Sequence, residues 1–221
     1  MGVAKLSIGG NSFIGAFALA TDSFALVGNS AGEKHADIIK KNLGVDSAKI
    51  SIDGSDLIGI YAVANSRSIL LPEISTEADV ACIKKALPGI EVHRIKTDLN
   101  ALGNNILAND RMAIVNSEYE TSEIRQIEKA LGVEAIKLNA GGFHTVGANN
   151  ILTNKGIVFN NRTADDDIDA IRPFVKNYSQ STANLGSLSI RLSTISNSNG
   201  LIVGEDTTGF EMARIAEGLG L

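Results

Sequence analysis

A period of 44 residues constrains the fold of this chain more than any other feature of its sequence. Five isoleucines follow one another at this interval, at Ile39, Ile83, Ile127, Ile171 and Ile215. A second apolar column lies four residues later, at Leu43, Leu87, Leu131, Val175 and Leu219, and a third lies three residues earlier, at Ala36, Val80, Ile124, Ile168 and Met212. Apolar residues at i, i+3 and i+7 share one face of an α-helix. The three columns therefore predict one amphipathic helix in each of five units.

The first half of each unit resembles a strand hairpin. Glycine recurs at Gly15, Gly59, Gly103 and Gly147, and the fifth unit has Arg191 at this position. Polar turns follow at residues 21–23, 65–67, 109–111, 153–155 and 197–199, and apolar triplets follow the turns at 25–27, 69–71, 113–115, 157–159 and 201–203. Continuous apolar triplets suit strands that are covered on both faces. With another strand after the helix, clearest at 48–52 and 92–96, each unit is predicted as strand, turn, strand, helix, strand.

Start and stop signals accompany several of the predicted helices. A hydroxyl residue and an acid stand three residues apart ahead of three stripes, at Thr76 and Asp79, Thr163 and Asp166, and Thr208 and Glu211. Such pairs satisfy the free amide hydrogens of a helix N-terminus from both directions. Gly44 and Gly132 follow two of the stripes and predict helix C-caps.

The five units account for nearly the whole chain of 221 residues. Residues 3–8 occupy the register of a strand that would follow the fifth helix, since Leu6 and Ile8 precede Ile50 and Ile52 by 44 positions. We therefore expect an α/β fold over residues 1–221, with units at about 9–52, 53–96, 97–140 and 141–184 and a fifth made of 185–221 plus 1–8. The N-terminal strand would close these units into a ring. The alternatives are an open solenoid, which normally has capping repeats, and an ordinary α/β domain with accidental periodicity.

Composition and charge exclude several classes of protein. The single cysteine, Cys82, rules out an internal disulfide framework and predicts a reducing cytoplasm. No stretch approaches the roughly 18 apolar residues of a membrane span, and the N-terminus does not resemble a signal peptide. The net charge of −5 argues against a surface dominated by phosphate contacts. We expect a cytoplasmic, monomeric protein that does not contact membranes.

Residues that carry chemistry are sparse. Cys82 lies in the second predicted helix beside apolar positions, as an inert packing thiol would. The three histidines fall at unrelated positions of the repeat, without a second ligand at metal spacing. The acidic run at 165–167 with Asp169 lacks the glycine and distal glutamate of a calcium loop, and acids are typical of a first helical turn. We expect no catalytic residue, no metal and no cofactor, and interpret the ring as a binding surface.

Three segments resemble a known family. They are residues 14–18 (IGAFA), residues 98–104 (DLNALGN) with 109–110 (ND), and residues 204–208 (GEDTT) with Glu211. They are similar to signatures of translation initiation factor 6, the archaeal and eukaryotic ribosome anti-association factor, and the similarity runs in order along the whole chain. It implies a pentein fold, a fivefold pseudosymmetric α/β propeller. It also implies binding to the intersubunit face of the large ribosomal subunit, where the factor sterically blocks the small subunit.

The resemblance also implies partners. The docking partner would be chiefly a ribosomal protein near the sarcin–ricin region, with minor ribosomal RNA contact. Release would involve the Shwachman–Bodian–Diamond protein and an elongation-factor-like GTPase. Two alternatives from other classes are a guanidino-group-modifying enzyme of the same fold, which uses a cysteine near its C-terminus with a histidine, and a generic ring-shaped scaffold.

Contact residues are predicted where the repeat symmetry breaks. The residues after the repeated glycines should meet around the ring axis, and these are Ala16, Ile60, Asn104, Ala148 and Leu192. Asn104 is polar where the others are apolar, and it matches the asparagine of the family segment. We predict partner contacts at Asn104, with Ile60 and Asn105 nearby, and at Arg191. The structural alternative for Asn104 is a buried cap at the end of a strand.

Overall fold

The computed structural model describes residues 2–221, which form five three-stranded sheets. The sheets have the strand orders β2-β3-β4, β5-β6-β7, β8-β9-β10, β11-β12-β13 and β14-β15-β1. The strands are β1 (Gly2–Leu6), β2 (Ala18–Ala20), β3 (Ala25–Val27), β4 (Ser47–Lys49), β5 (Val63–Ala64), β6 (Ser68–Pro72), β7 (Glu91–Ile95), β8 (Ile106–Ala108), β9 (Met112–Val115), β10 (Glu134–Lys137), β11 (Ile151–Leu152), β12 (Gly156–Asn160), β13 (Asn177–Ser181), β14 (Thr194–Asn197) and β15 (Gly200–Gly204).

Every sheet has the predicted order of elements. Its first two strands form an antiparallel hairpin, and its third strand pairs in parallel with the second after a helical crossover. The central strands are buried along their whole length, in agreement with their continuous apolar triplets. The predicted unit of strand, turn, strand, helix, strand is confirmed.

The helices divide into long crossovers and single turns. They are α1 (Glu33–Leu43), α2 (Ile58–Tyr61), α3 (Glu77–Ala86), α4 (Leu102–Asn105), α5 (Thr121–Leu131), α6 (Val146–Asn149), α7 (Asp165–Ile171) and α8 (Gly209–Leu219), with 3-10 turns at Ile14–Ala16, Ala140–Gly142 and Arg172–Phe174. The five isoleucines of the repeat lie on the crossovers α1, α3, α5, α7 and α8, and each is fully buried. Within residues 2–221, no helix combines the length and the apolar character needed to cross a membrane.

The fourth crossover departs from the prediction. Thr76 and Thr208 cap α3 and α8 as expected, each accepting from the backbone N–H of the acid three residues later. The cap predicted at Thr163 is wrong, because α7 begins after Ala164 and the buried Thr163 makes no capping bond. The helix also ends at Ile171, before a 3-10 turn that contains Pro173, so Val175 lies outside it.

The N-terminal strand completes the fifth unit, as predicted. Strand β1 pairs in parallel with β15 and places Lys5 opposite Val203. In the first unit, Lys49 lies opposite Val27. Lys49 follows Lys5, and Val203 follows Val27, by a whole multiple of 44 positions, so the two strand pairs have the same register. Units one and five also meet elsewhere, since the N–H of Gly15 donates to the carbonyl of Leu192 (2.8 Å).

Each hydrophobic core lies between neighbouring units. In β3, Val27 packs into a first core with Ile39, whereas Leu26 packs into a second core with Ile83. Successive side chains of a strand point to opposite faces, so each central strand contributes to two cores. The fifth unit also contributes to the first core, because Ile202 of β15 packs into it. The five units therefore share their cores in a fivefold pseudosymmetric arrangement.

Candidate docking face

The five crossover helices run in the same direction and give the molecule two distinct ends. At one end, the Nδ2 of Asn65 in the β5–β6 turn donates to the carbonyl of Leu131, the last residue of α5 (2.8 Å). At the other end, the N–H of Gly28, which follows β3, donates to the carbonyl of Phe17 (2.9 Å). We call the end with the helix N-termini the helix-start face and the end with the hairpin turns the turn face. The helix-start face comprises residues 7–17, 28–36, 50–62, 72–80, 96–106, 116–124, 138–150, 160–168, 182–194 and 204–212, and the other residues of the described range 2–221 are assigned to the turn face.

Charge is divided unequally between the two faces. The helix-start face carries 16 acidic and 4 basic residues, whereas the turn face carries 9 acidic and 16 basic residues. Acids near helix N-termini and cations near C-termini complement the helix macrodipoles, and here five dipoles are aligned. The modest net charge of the chain is therefore the sum of an acidic face and a basic face.

The repeated glycines pack the units together at the helix-start face. A Cβ atom on Gly59 would lie 1.9 Å from the carbonyl oxygen of Gly15, and one on Gly103 would lie 2.1 Å from that of Gly59. The same holds for Gly147 against Gly103 (2.4 Å) and for Gly15 against Arg191 (2.1 Å). No side chain fits at such distances, so these columns require glycine. The one-turn segments that carry the residues after the glycines thereby come together, as predicted.

Asn104 and Ile60 lie in adjacent one-turn helices of this face, α4 and α2, and both are half-buried. The Oδ1 atom of Asn104 is shielded from solvent and has no hydrogen-bond partner in residues 2–221. A buried acceptor without a donor costs about 1–3 kcal/mol. The Oδ1 of Asn104 is therefore a local cost to the stability of the fold.

Asn105 has a different environment from its neighbour. It is buried, its Nδ2 donates to the carbonyl of Ala101 (2.9 Å), and its Oδ1 accepts from the Nδ2 of Asn116 (2.9 Å). Its side chain thus ties α4 to the end of β9. The sequence did not distinguish the two asparagines. The one-turn helix, which points their side chains in different directions, is not evident from the 44-residue repeat.

Arg191 extends into a cavity on the pseudosymmetry axis. The cavity has a volume of about 60 Å³ and is lined by the first strand of every unit's hairpin. The Nη1 of Arg191 donates to the carbonyl of Gly59. Burial lowers the pKa of the Arg191 guanidinium to about 10, which leaves it a cation at neutral pH. The fifth unit thus places a charge on the axis where four units have glycine.

The thiol and the imidazoles lie apart from one another. Cys82 is exposed on α3. His93 contacts Glu91 (3.0 Å), His144 contacts Glu118 (3.6 Å), and His35 bonds to the carbonyl of Ser7 (3.0 Å). In the part of the chain that the structure describes, no three His, Cys, Asp or Glu side chains are grouped so as to hold a metal ion. The constellation of a guanidino-modifying enzyme is not assembled by these residues.

Sequence comparison identifies the family. The model of the eIF-6 family matches residues 3–218. A protein named Translation initiation factor 6 from Pyrococcus horikoshii is 34% identical over 225 residues, which cover 100% of this chain and 99% of that relative. The chain belongs to the eIF-6 family. A Thermoplasma acidophilum protein of the same name is 42% identical over 128 residues, and this match spans only 58% of the chain and 59% of the relative. The names of these relatives describe initiation factors rather than enzymes.

A solved structure shows the fold that the eIF-6 chain shares. A cysteine-to-serine mutant of DDAH from Pseudomonas aeruginosa, complexed with citrulline, aligns with a TM-score of 0.51 and 13% identity. The alignment covers 76% of this chain and 68% of the DDAH chain. At this identity the likeness concerns the fold alone, and it supports the pentein-type α/β architecture that the family resemblance implies and that agrees with the five repeats.

Proposed function

We propose that this chain acts in translation initiation by binding the intersubunit face of the large ribosomal subunit and sterically preventing association with the small subunit. Membership of the eIF-6 family supports an initiation role, since the relatives are named Translation initiation factor 6. The subunit, the face and the steric mechanism come from the family resemblance in residues 98–104 and 204–208. An interface of about 1,000–2,000 Å² would be sufficient for stable docking.

The observation that carries the proposed docking mode is the acidic helix-start face with Asn104 near its axis. A ribosomal protein is typically basic, and an acidic surface would steer it into contact and raise the association rate. Asn104 would contribute through the accessible part of its half-buried side chain, since its Oδ1 is shielded from solvent. Ile60 beside it supplies apolar surface.

We assign supporting roles to the other two predicted residues. Asn105 would fix the position of α4, and with it Asn104, through its bonds to Ala101 and Asn116. Arg191 would hold the one-turn segments around the axis through its bond to Gly59. The partner would be chiefly a ribosomal protein near the sarcin–ricin region, with minor RNA contact. Release would require the Shwachman–Bodian–Diamond protein and an elongation-factor-like GTPase.

Sedimentation with purified archaeal subunits tests the proposal. The wild-type chain is expected to travel with the large subunit alone and to reduce formation of joined particles. Asn104→Asp removes the amide donor and places at this half-buried position a carboxylate whose desolvation on docking is unfavourable. We expect about tenfold weaker binding, equivalent to about 1.4 kcal/mol.

The matched control is Asn161→Asp, which makes the same charge change at an exposed position of the same face. It should bind as the wild type does, and both variants should show the wild-type melting curve. Failure of the wild type to travel with the large subunit would refute the function. Equal weakening by both variants would refute the role of Asn104 and leave the function standing.

A further inference from the structure

Cationic and aromatic side chains alternate after helix α7. They are Arg172, Phe174, Lys176 and Tyr178, and all four are exposed, Phe174 by 56% and Tyr178 by 45%. The backbone is extended at Val175 and through β13, which places Lys176 and Tyr178 on the same side of the chain. Both side chains are exposed, so this side of β13 is open.

Two further cations continue this surface across the turn face. Strands β12 and β13 pair in parallel with Gly156 opposite Asn177, so the residues before them, Lys155 and Lys176, are neighbours. The Nδ2 of Asn177 also donates to the carbonyl of Lys155 in the β11–β12 turn (2.8 Å). The adjoining β8–β9 turn, which carries Arg111, is joined to it by the bond from the N–H of Asp110 to Oδ1 of Asn154 (3.0 Å). We call Arg111, Lys155 and Lys176 the cationic track.

The cationic track lacks carboxylate partners. Among residues 2–221, none of its three side chains forms an ion pair. The Asp110 carboxylate beside Arg111 accepts instead from Ser66 and Asn154. Arg172 is paired with Asp169 (2.9 Å) and lies over the ring of Tyr178 at 5.9 Å. The other turn-face acids of the third unit are Glu128, which accepts from the N–H of Ala135 (3.0 Å), and Glu134, which is exposed at the start of β10.

We propose that this part of the turn face binds single-stranded RNA, with phosphates on the cationic track and bases stacked on Phe174 and Tyr178. Unpaired cations beside exposed aromatic rings are the combination that holds single strands, because every base offers a face for stacking and every nucleotide a phosphate. Macrodipole complementation explains cations at helix ends, but it does not explain the exposed aromatics between them. The expectation from net charge alone, that no surface is dominated by phosphate contacts, overlooks the separation of charge between the two faces. The inference goes beyond the proposed function, since it concerns the opposite face and requires no ribosomal protein.

Fluorescence anisotropy with a labelled 12-nucleotide oligouridine tests this site on the full chain. The wild type is expected to bind at 50 mM KCl, with the logarithm of the association constant falling by about 2 per logarithmic unit of salt for three phosphate contacts. Arg111→Gln, Lys155→Gln and Lys176→Gln combined should weaken binding at least tenfold and flatten this salt dependence. Phe174→Ala with Tyr178→Ala should weaken binding at least tenfold while leaving the salt dependence unchanged.

Matched controls lie on the helix-start face. Lys34→Gln, Lys96→Gln and Arg162→Gln combined change the net charge equally, and Phe13→Ala with Phe210→Ala removes two other exposed aromatics. Both controls should bind RNA as the wild type does, and all variants should keep the wild-type melting temperature. The proposal is overturned if 100 µM wild type leaves the anisotropy unchanged, if the controls weaken binding as much as the test variants, or if polyglutamate displaces the RNA as well as unlabelled oligouridine does. Subunit sedimentation of the turn-face variants should be unchanged, which separates this test from that of the docking face.

Discussion

The helix-start face and the turn face are built by the same 44-residue period but are joined by different interactions. At the helix-start face, backbone carbonyls approach the repeated glycines so closely that no Cβ fits. At the turn face, the residues at one repeat position, Asp22, Ser66, Asp110, Asn154 and Ser198, bond to one another around the axis. Four of them bond through their side chains, whereas Ser198 donates its backbone N–H to Asp22 (2.8 Å) and its hydroxyl has no partner in residues 2–221. The Oγ of Ser66 donates to Asp110 (2.9 Å), and the Nδ2 of Asn154 donates to Asp22 (2.8 Å). The helix-start face therefore requires glycine in four of its five units, whereas the turn face accepts different polar residues whose donors meet acceptors.

The two faces also differ in charge, for a reason that the topology supplies. Each unit sends its helix from the helix-start face to the turn face, so the ordinary preference for acids at N-termini and cations at C-termini is repeated five times in one direction. A chain of modest net charge thereby acquires one surface suited to a basic partner and one suited to phosphates.

The largest expected effect is the loss of the glycine contact at the helix-start face. In Gly59→Ala the new Cβ would overlap the carbonyl oxygen of Gly15, and the backbone of two units must separate. We expect the free energy of unfolding to fall by about 3 kcal/mol, measured by urea denaturation. Gly209→Ala is the matched control, because no atom lies within 4 Å of the position of its Cβ. Equal stability of the two variants would contradict the account of the glycine column.

A smaller effect is expected from the hydrogen-bonded ring of the turn face. Asn154→Ala removes the amide that donates to Asp22 and Asp110 and leaves two carboxylates facing each other. The free energy of unfolding should fall by about 1–3 kcal/mol. The control is Asn161→Ala, an exposed asparagine whose change should stay within about 0.5 kcal/mol. If Asn154→Ala destabilised more than Gly59→Ala, the contrast between the two faces would be reversed.

A substitution at Asn104 is expected to change stability and binding in opposite directions. Replacing a shielded, unpaired acceptor by an apolar side chain removes a desolvation cost, so Asn104→Ala should raise the free energy of unfolding by up to about 1 kcal/mol. The same variant should bind the large subunit more weakly than the wild type. Loss of stability in thermal denaturation would show instead that the side chain serves the fold, as a buried strand cap.

The smallest expected effect is on the pH dependence of stability, through the Asp56 carboxylate, which bonds the loop after β4 to the loop after β3. The Ser30 hydroxyl and the N–H groups of Asn29 and Ser30 donate to the Asp56 carboxylate and hold its pKa below the usual range. A carboxyl whose pKa is lower in the folded state stabilises that state above the unfolded pKa, and this contribution is lost as the pH falls below about 4. Because Asp56 is close to solvent, the effect is small. Urea midpoints from pH 6 to pH 3 should fall less steeply for Asp56→Asn than for the wild type, and parallel curves would contradict this.

Much of the fold was predictable because sequence signals that are weak in one unit recur at the same position of the other units. The column from Ile39 to Ile215 predicted all five crossovers, and the register of Leu6 and Ile8 predicted the position of β1 beside β15. The failure at Thr163 is one of register. The cap position of the repeat, occupied by Thr76 and Thr208 in two other units, falls on Ala164 in the fourth unit. Thr163 lies one residue ahead of it, as Ser75 and Thr207 do. Pro173 then ends the helix early.

The candidate site was predictable only in part. The glycine column and the polar residue that follows it indicated where the units meet. The different environments of Asn104 and Asn105, and the extension of Arg191 into the axial cavity, depend on the direction of single side chains in one-turn helices. A period of 44 contains no information about those directions.

The sequence by itself determined the repeat, the order of elements in each unit and the pairing of the N-terminal strand, because periodic apolar positions can be buried in only one register. The tertiary structure alone decided how charge is distributed. Arg111, Lys155 and Lys176 are 21 or 44 positions apart along the chain and are joined only because neighbouring hairpin turns hydrogen-bond to each other and to β13. An electrostatic surface depends on the distances between charges in space. Folding brings together charges that are far apart in the sequence, and their separation along the chain does not predict that they will meet.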